Sequence, residues 1–388
     1  MASTPRLAIA ALSCSLVACS SLLGLDELSR VDCSDDCGEG AGSGVPGGGV
    51  ASGSSTGNGP SVGGASTQAG AGSTGQAGGR AGSTGSGGND TMPAAGTTGE
   101  GGVPSGGSGG SGGSAPTGTC PGGPAPAETW KEHWSGHTDS LTLRAYDDCV
   151  ALYVDPGMTG VDTAWLGTFL KEAWTYNLET YGKQLGNERL FVVLHKNKFI
   201  GGHAAVFYET SHDSHNVIDA GASSWDEGAY DLPAHLLSNV VERTAVKDKQ
   251  GSPAAAQWSS EGFAQIYTYD LYVGLGMKSE ADRVFDEFEP THFTFPVPNS
   301  YWFADFYYPT WRDHGKSKTL VGFFDLLQRY YPANNQVMPP MNWGEYIHFA
   351  SGAASSDLKD QATYAFGWTS DWQSELEQAR TEFSAIAY

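Results

Sequence analysis

The sequence predicts an α+β fold: a small N-terminal sheet lobe with helices, followed by a mainly helical C-terminal lobe. Three observations carry that expectation. No Phe, Tyr or Trp occurs before Trp130, so the side chains able to build a core lie within 120–388. Apolar and β-branched residues gather in short runs at 189–194, 204–208 and 216–219, which read as strands. From Asp231 onward the apolar positions recur at three- and four-residue spacing, the pattern of helices buried along one face. Strands first and helices afterwards is the α+β order.

Ahead of the strands, Asp162 is placed to cap a helix reaching Tyr181, with Leu166, Phe169, Leu170, Ala173 and Trp174 on one face. After the strands, helices are expected near 232–247, 257–275, 278–289, 316–331, 342–352, 355–366 and 370–385. Pro233 suits the first turn of the first of these. Residues 301–311 hold seven aromatic side chains in eleven positions. Two readings stay open for them: packing between lobes, or flat platforms that stack on sugar rings or extended chains.

The N-terminal third is of another kind. Arg6 precedes an apolar stretch over 7–18 that Ser13 and Cys14 interrupt, too short to span a bilayer, so 1–18 reads as a signal peptide. Leu16-Val17-Ala18-Cys19 resembles the lipobox of bacterial lipoproteins. That resemblance implies cleavage before Cys19, acylation of its thiol and export to a membrane surface, with Ser20 pointing to the outer membrane. Several acyl chains, at about 0.8 kcal/mol per buried CH₂, would make the attachment stable. Residues 19–37 would form the mature N-terminus. Residues 38–119 are nearly all Gly, Ser, Ala and Thr, with Ala-Gly-Ser-Thr-Gly at 71–75 and again at 81–85. Such a segment cannot bury enough surface to offset its ordering entropy, and it reads as a disordered tether with an r.m.s. span of roughly 50 Å.

Setting aside Cys14 with the leader and Cys19 with its lipid leaves four cysteines. An even count in an exported chain favours disulfides, and the local pairings are Cys33 with Cys37 and Cys120 with Cys149. The second would close a loop worth about 3.5 kcal/mol in the chain-entropy model. The net charge of −22 argues against nucleic acid as a partner, because phosphate binding needs a basic patch. Within 120–388 there is neither a Gly-x-Ser-x-Gly nucleophile turn nor a phosphate-cradling glycine loop.

One constellation carries chemistry. In the helix expected from 232, His235, Asn239 and Glu242 share a polar face at i, i+4 and i+7, opposite Leu236, Leu237, Val240, Val241 and Ala245. Some twenty residues later comes Trp258-x-x-Glu261-Gly262-Phe263-Ala264. The pair resembles the gluzincin metallopeptidases, zincin-like proteins in which HExxH supplies two zinc-binding histidines and a general base, and a Glu on the next helix supplies the third ligand. On that match His235 holds the first ligand position, Asn239 the second and Glu261 the third, while Leu236 stands where the base belongs.

A neutral amide is a poor zinc ligand, and Leu236 cannot take a proton from bound water; losing a base commonly costs about 10²–10⁴ in rate. The sequence therefore assigns no catalytic residue and expects no resident cofactor, zinc being the alternative. It describes a peptidase-like pseudoenzyme, lipid-anchored at the membrane, that binds a protein, peptide or polysaccharide. A second reading is an active metal-dependent hydrolase using His235, Glu261 and Glu242 or a nearby His. A third is a carbohydrate- or wall-binding module using Trp302 and Trp311. His203, His212 and His215, with Asp213 among them, are candidates for the groove beside the metal helix or for a loop metal site.

Overall fold

The computed structural model describes residues 120–388, apart from 135, 183–184, 187–188, 260 and 294–300. The leader, Cys19, the Cys33–Cys37 pair and the 38–119 segment lie outside the described residues. The fold is α+β. Six strands, β1 (Thr129–Lys131), β2 (Ser140–Tyr146), β3 (Val150–Val154), β4 (Leu190–Lys196), β5 (Gly201–Ala205) and β6 (Val217–Ala222), form one mixed sheet in the order β1-β2-β3-β4-β6-β5. β3, β4 and β6 run parallel, while β1, β2 and β5 are antiparallel to their neighbours. The crossover from β3 to β4 is α1 (Ala164–Thr180), as a parallel pair requires.

Strand alternation sorts the side chains into two layers. Leu152, Val154, Val192, Leu194, Ile218 and Ala220 meet Leu166, Leu170 and Trp174 of α1 in the main core. Ala151, Tyr153, Phe191, Val193 and Val217 point the other way, into a smaller core closed by Trp134. All five residues of β3 and six of the seven in β4 are buried, which fits parallel strands covered on both sides.

The helical part contains α2 (Asp231–Thr244), α3 (Ala255–Trp258), α4 (Gly262–Gly274), α5 (Lys278–Phe288), α6 (Tyr308–Asp313), α7 (Ser317–Tyr330), α8 (Trp343–Ala354), α9 (Lys359–Phe366) and α10 (Ser370–Glu382). Asn342 and Glu345 close a reciprocal capping box at the start of α8, fixing where that helix begins. The aromatic run enters α6 through a π-helical turn at Phe303–Tyr307, and Trp302, Phe303, Phe306, Tyr307 and Trp311 are buried. Packing between elements is what this run does; Trp302 and Trp311 offer no flat face to a sugar.

Several expectations are corrected. Thr163, not Asp162, holds the N-cap position of α1, although the Asp162 carboxylate does accept the Ala164 N–H at 2.9 Å. β1, β2 and β3 precede α1, where no strand was expected. The strand expected at 204–208 is β5, displaced toward Gly201 and Gly202. A Cβ at position 202 would lie 2.4 Å from the Asp219 carbonyl oxygen and 2.7 Å from Leu236 Cδ1. Only glycine lets α2 lie this close, so a residue that reads as a strand breaker sits inside the strand. The helix expected at 257–275 is two, parted at Ser259, whose φ of 51° no continuing helix adopts. The helix expected from 355 begins at Lys359, because Ser355 turns left-handed at the end of α8.

Two cross-links tie separate parts of the fold together. Cys120 and Cys149 form a disulfide with Cα atoms 4.9 Å apart. Deeper in, the buried Asp270 of α4 accepts from Tyr176 Oη at 2.7 Å, Trp311 Nε1 at 2.6 Å, Ser317 Oγ at 2.7 Å and Tyr181 Oη at 3.4 Å. It thereby joins α1, α6 and α7 to α4. Burial pushes its carboxyl pKa up even against these donors. Asp270→Ala is expected to cost at least about 3 kcal/mol, since it strands several buried donors at once. Urea unfolding followed by tryptophan fluorescence measures this; a loss under about 1 kcal/mol would mean water can stand in for the carboxylate.

Candidate functional site

The face proposed from the sequence lies where α2 crosses α4 beside β5 and β6. Asp231, at the first position of α2, accepts from Tyr272 Oη at 2.8 Å and Arg283 Nη2 at 2.6 Å, which pins the helix start to α4 and α5. The apolar side of α2 then beds into the main core, with Leu237, Val240 and Val241 fully enclosed. Leu236 belongs to this buried side. It is 2% exposed and packs toward Gly202 of β5. His235 and Asn239 lie on the half-buried flank of the same helix.

Glu261 does not sit within a helix, as a continuous 257–275 would have placed it. The break after Trp258 puts it at the N-cap of α4. From there its charge acts on His235: burial lowers the imidazole pKa, and the Glu261 carboxylate partly opposes the shift. The imidazole is thus held neutral near pH 7 while it senses the Glu261 charge from the start of α4. Next along, burial pushes the Glu242 carboxyl up to about 7, with the Ser252 hydroxyl beside it pulling the other way. Tyr307 lines the same region. Its hydroxyl would lie 2.6 Å from a Cβ at Gly262, so the start of α4 has room only for glycine.

His203, His212 and His215 do not join this groove. Gly202 faces α2, so by alternation His203 points through the opposite face of the sheet, as does its register partner Asp219. There His203 Nε2 lies 2.9 Å from His212 Nε2. Burial lowers both imidazoles, His212 to about 4, so the pair is neutral near pH 7. Trp134 stacks on His212 with ring centroids 4.2 Å apart, and His215 stacks on Phe191 at 3.9 Å. Asp213 is not a ligand partner of the histidines flanking it. It accepts from Trp130 Nε1 at 2.8 Å and pairs with His133 at 3.4 Å.

Through Asp219, His203 and His212 adjoin a polar cluster that sequence reasoning missed, built from Glu132, His137, His195 and Asp219. The strap between β1 and β2 supplies the first two, β4 the third and β6 the fourth. No local spacing announces them. The available signal was a His ending one continuous apolar run and an Asp interrupting another, since a buried strand admits such residues only when they have partners.

Glu242 gives the α2 face a pH dependence. Its carboxyl ionises near 4.5 when exposed and about 7 when folded, so the unfolded chain ionises first and stability falls as pH rises between those values. Glu242→Gln is therefore expected to raise stability relative to the native chain by up to about 3 kcal/mol above pH 7, and by nothing below pH 4. Urea unfolding at pH 4 and pH 8 checks this; an equal difference at both would contradict it.

No family model matches the chain, and comparisons with curated proteins and with solved structures likewise return no match.

Proposed function

We propose that this chain is an exported lipoprotein, anchored through Cys19 at the outer-membrane surface, whose 120–388 domain has the build of a gluzincin-like peptidase and binds a peptide or protein without cutting it. The observation that carries the non-catalytic reading is the burial of Leu236. The side chain at the general-base position is pressed onto the edge strand, leaving neither a proton acceptor nor space for one. The peptidase-like build is supported by the electrostatic influence of Glu261 on His235, and by an antiparallel edge strand alongside α2. The groove would then recognise an extended segment through the polar flank of α2, with zinc chemistry lost from it.

Three outcomes follow. Unfolded casein incubated with the full chain and added zinc is expected to remain intact; turnover abolished by His235→Ala would overturn the non-catalytic reading. Asn239→His should give the α2 face a third ligand and one more bound zinc per chain than the native protein, read by elemental analysis. No gain in a folded variant would count against the peptidase-like geometry. Labelled palmitate is expected to enter the native chain but not Cys19→Ala, and equal incorporation would remove the anchor.

A further inference from the structure

The far face of the sheet offers a second, independent set of donors. His195 Nε2 lies 3.0 Å from Glu132 Oε1 and 3.1 Å from Asp219 Oδ1. His137 Nδ1 lies 3.4 Å from Glu132 Oε1 and 3.3 Å from Asp219 Oδ2. All four residues are buried, His195 completely. One donor atom from each of the four side chains lies within 4.8 Å of the other three, close enough to surround a single ion, since a coordination tetrahedron with bonds of about 2.0–2.2 Å has edges of roughly 3.4 Å. Hydrogen bonding accounts for part of these spacings, since His137 Nδ1 and Glu132 Oε1 meet its geometry. The ring axis through His195 Nε2 aims at neither carboxylate oxygen, leaving that buried nitrogen without an aligned partner.

Three of the four groups have further partners that hold them in place. Asp155 Oδ2 sits 3.2 Å from His195 Nδ1, and Lys198 Nζ lies 3.0 Å from the same oxygen. With Nδ1 protonated toward Asp155, the lone pair of Nε2 points into the cluster, the carboxylate–histidine arrangement that orients metal ligands. The Asp139 N–H donates to Glu132 Oε2 at 2.7 Å, and Trp134 Nε1 donates to Asp219 Oδ2 at 2.9 Å. Glu132 and Asp219 would together neutralise a dication. Two imidazoles and two carboxylates suit zinc or a similar transition ion, whereas calcium and magnesium favour shells made only of oxygen.

We infer that Glu132, His137, His195 and Asp219 form a closed structural site for a divalent transition metal, zinc foremost, which fastens the strap between β1 and β2 onto β4 and β6. Four protein ligands, all buried, leave no open position for a substrate. The site is separate from the α2 face, and its fate does not depend on the reading of that face.

The test is metal content of the full, untagged chain after equilibration with zinc in the presence of excess calcium and magnesium. The expected result is one tightly held zinc in the native chain, unchanged in His235→Ala and lost in the near-isosteric Glu132→Gln. Zinc should also raise the melting temperature of the native chain by roughly 10 °C. Cobalt loaded into the native chain should give the strong visible bands of a four-coordinate ion, a readout that requires no variant to fold. Absence of both bound zinc and those bands in the folded native chain would overturn the inference. So would zinc retained in a folded Glu132→Gln chain, or zinc lost on His235→Ala, which would place the ion on α2 instead.

Discussion

A sheet with helices on only one side must hide its other side, and the arrangement of this domain follows from that constraint. β3 and β4 carry apolar side chains on both faces, so neither face can be left in water. α1 and α2 close one. On the other, among the described residues, the cover comes from Trp130 of β1, the strap with Trp134, and His212 and His215 of the β5–β6 connection. So small a cover cannot seal the sheet by area alone. It relies on directed contacts: Trp134 bonds Asp219 and stacks on His212, while Trp130 packs edge-on against Tyr153 and Phe191. The polar side chains in the middle strands give the strap fixed points to hold.

The two faces of the sheet have therefore been put to different uses. On the helical side, close approach of α2 depends on Gly202, and it brings Leu236 down onto β5. The same approach leaves His235, Asn239 and Glu242 along the flank, near Glu261 and Tyr307. A leucine at that spot fills the interface; a charged residue there would be buried without a partner. Packing thus explains why an apolar side chain is stable at this position. On the strap side the requirement is reversed, because buried carboxylates and imidazoles persist only when they satisfy one another or an ion.

Legibility in the sequence followed contact distance along the chain. Helices such as α7, α8 and α10 could be placed within a few residues, because Phe323, Phe324 and Leu327, or Tyr346, Ile347 and Phe349, repeat at helical spacing. The α+β class was legible for the same reason. β2 and β3 were passed over although Leu141 and Leu143 alternate, since the run Cys149–Val154 is short and follows a turn. The break in 257–275 was hidden, as nothing in Trp258-Ser259 signals a left-handed backbone. The far-face cluster was illegible: its members come from three segments between residues 132 and 219 and meet only once the sheet has formed. The proposed pairing of His235 with Glu261 rests on a motif, not on a spacing.

The disulfide settles how tension would travel. On the anchoring proposed above, any drag on the domain arrives along the chain at residue 119. It meets Cys120 first, and the bond to Cys149 passes it directly to the start of β3, a strand flanked by β2 and β4 inside the sheet. Residues 121–148, including the whole strap, form a side loop that stays slack while the bond is intact. If the bond is reduced, the same drag enters the strap from its end and peels it strand first, drawing Glu132 and His137 away from β4. The disulfide thus acts as strain relief for the strap.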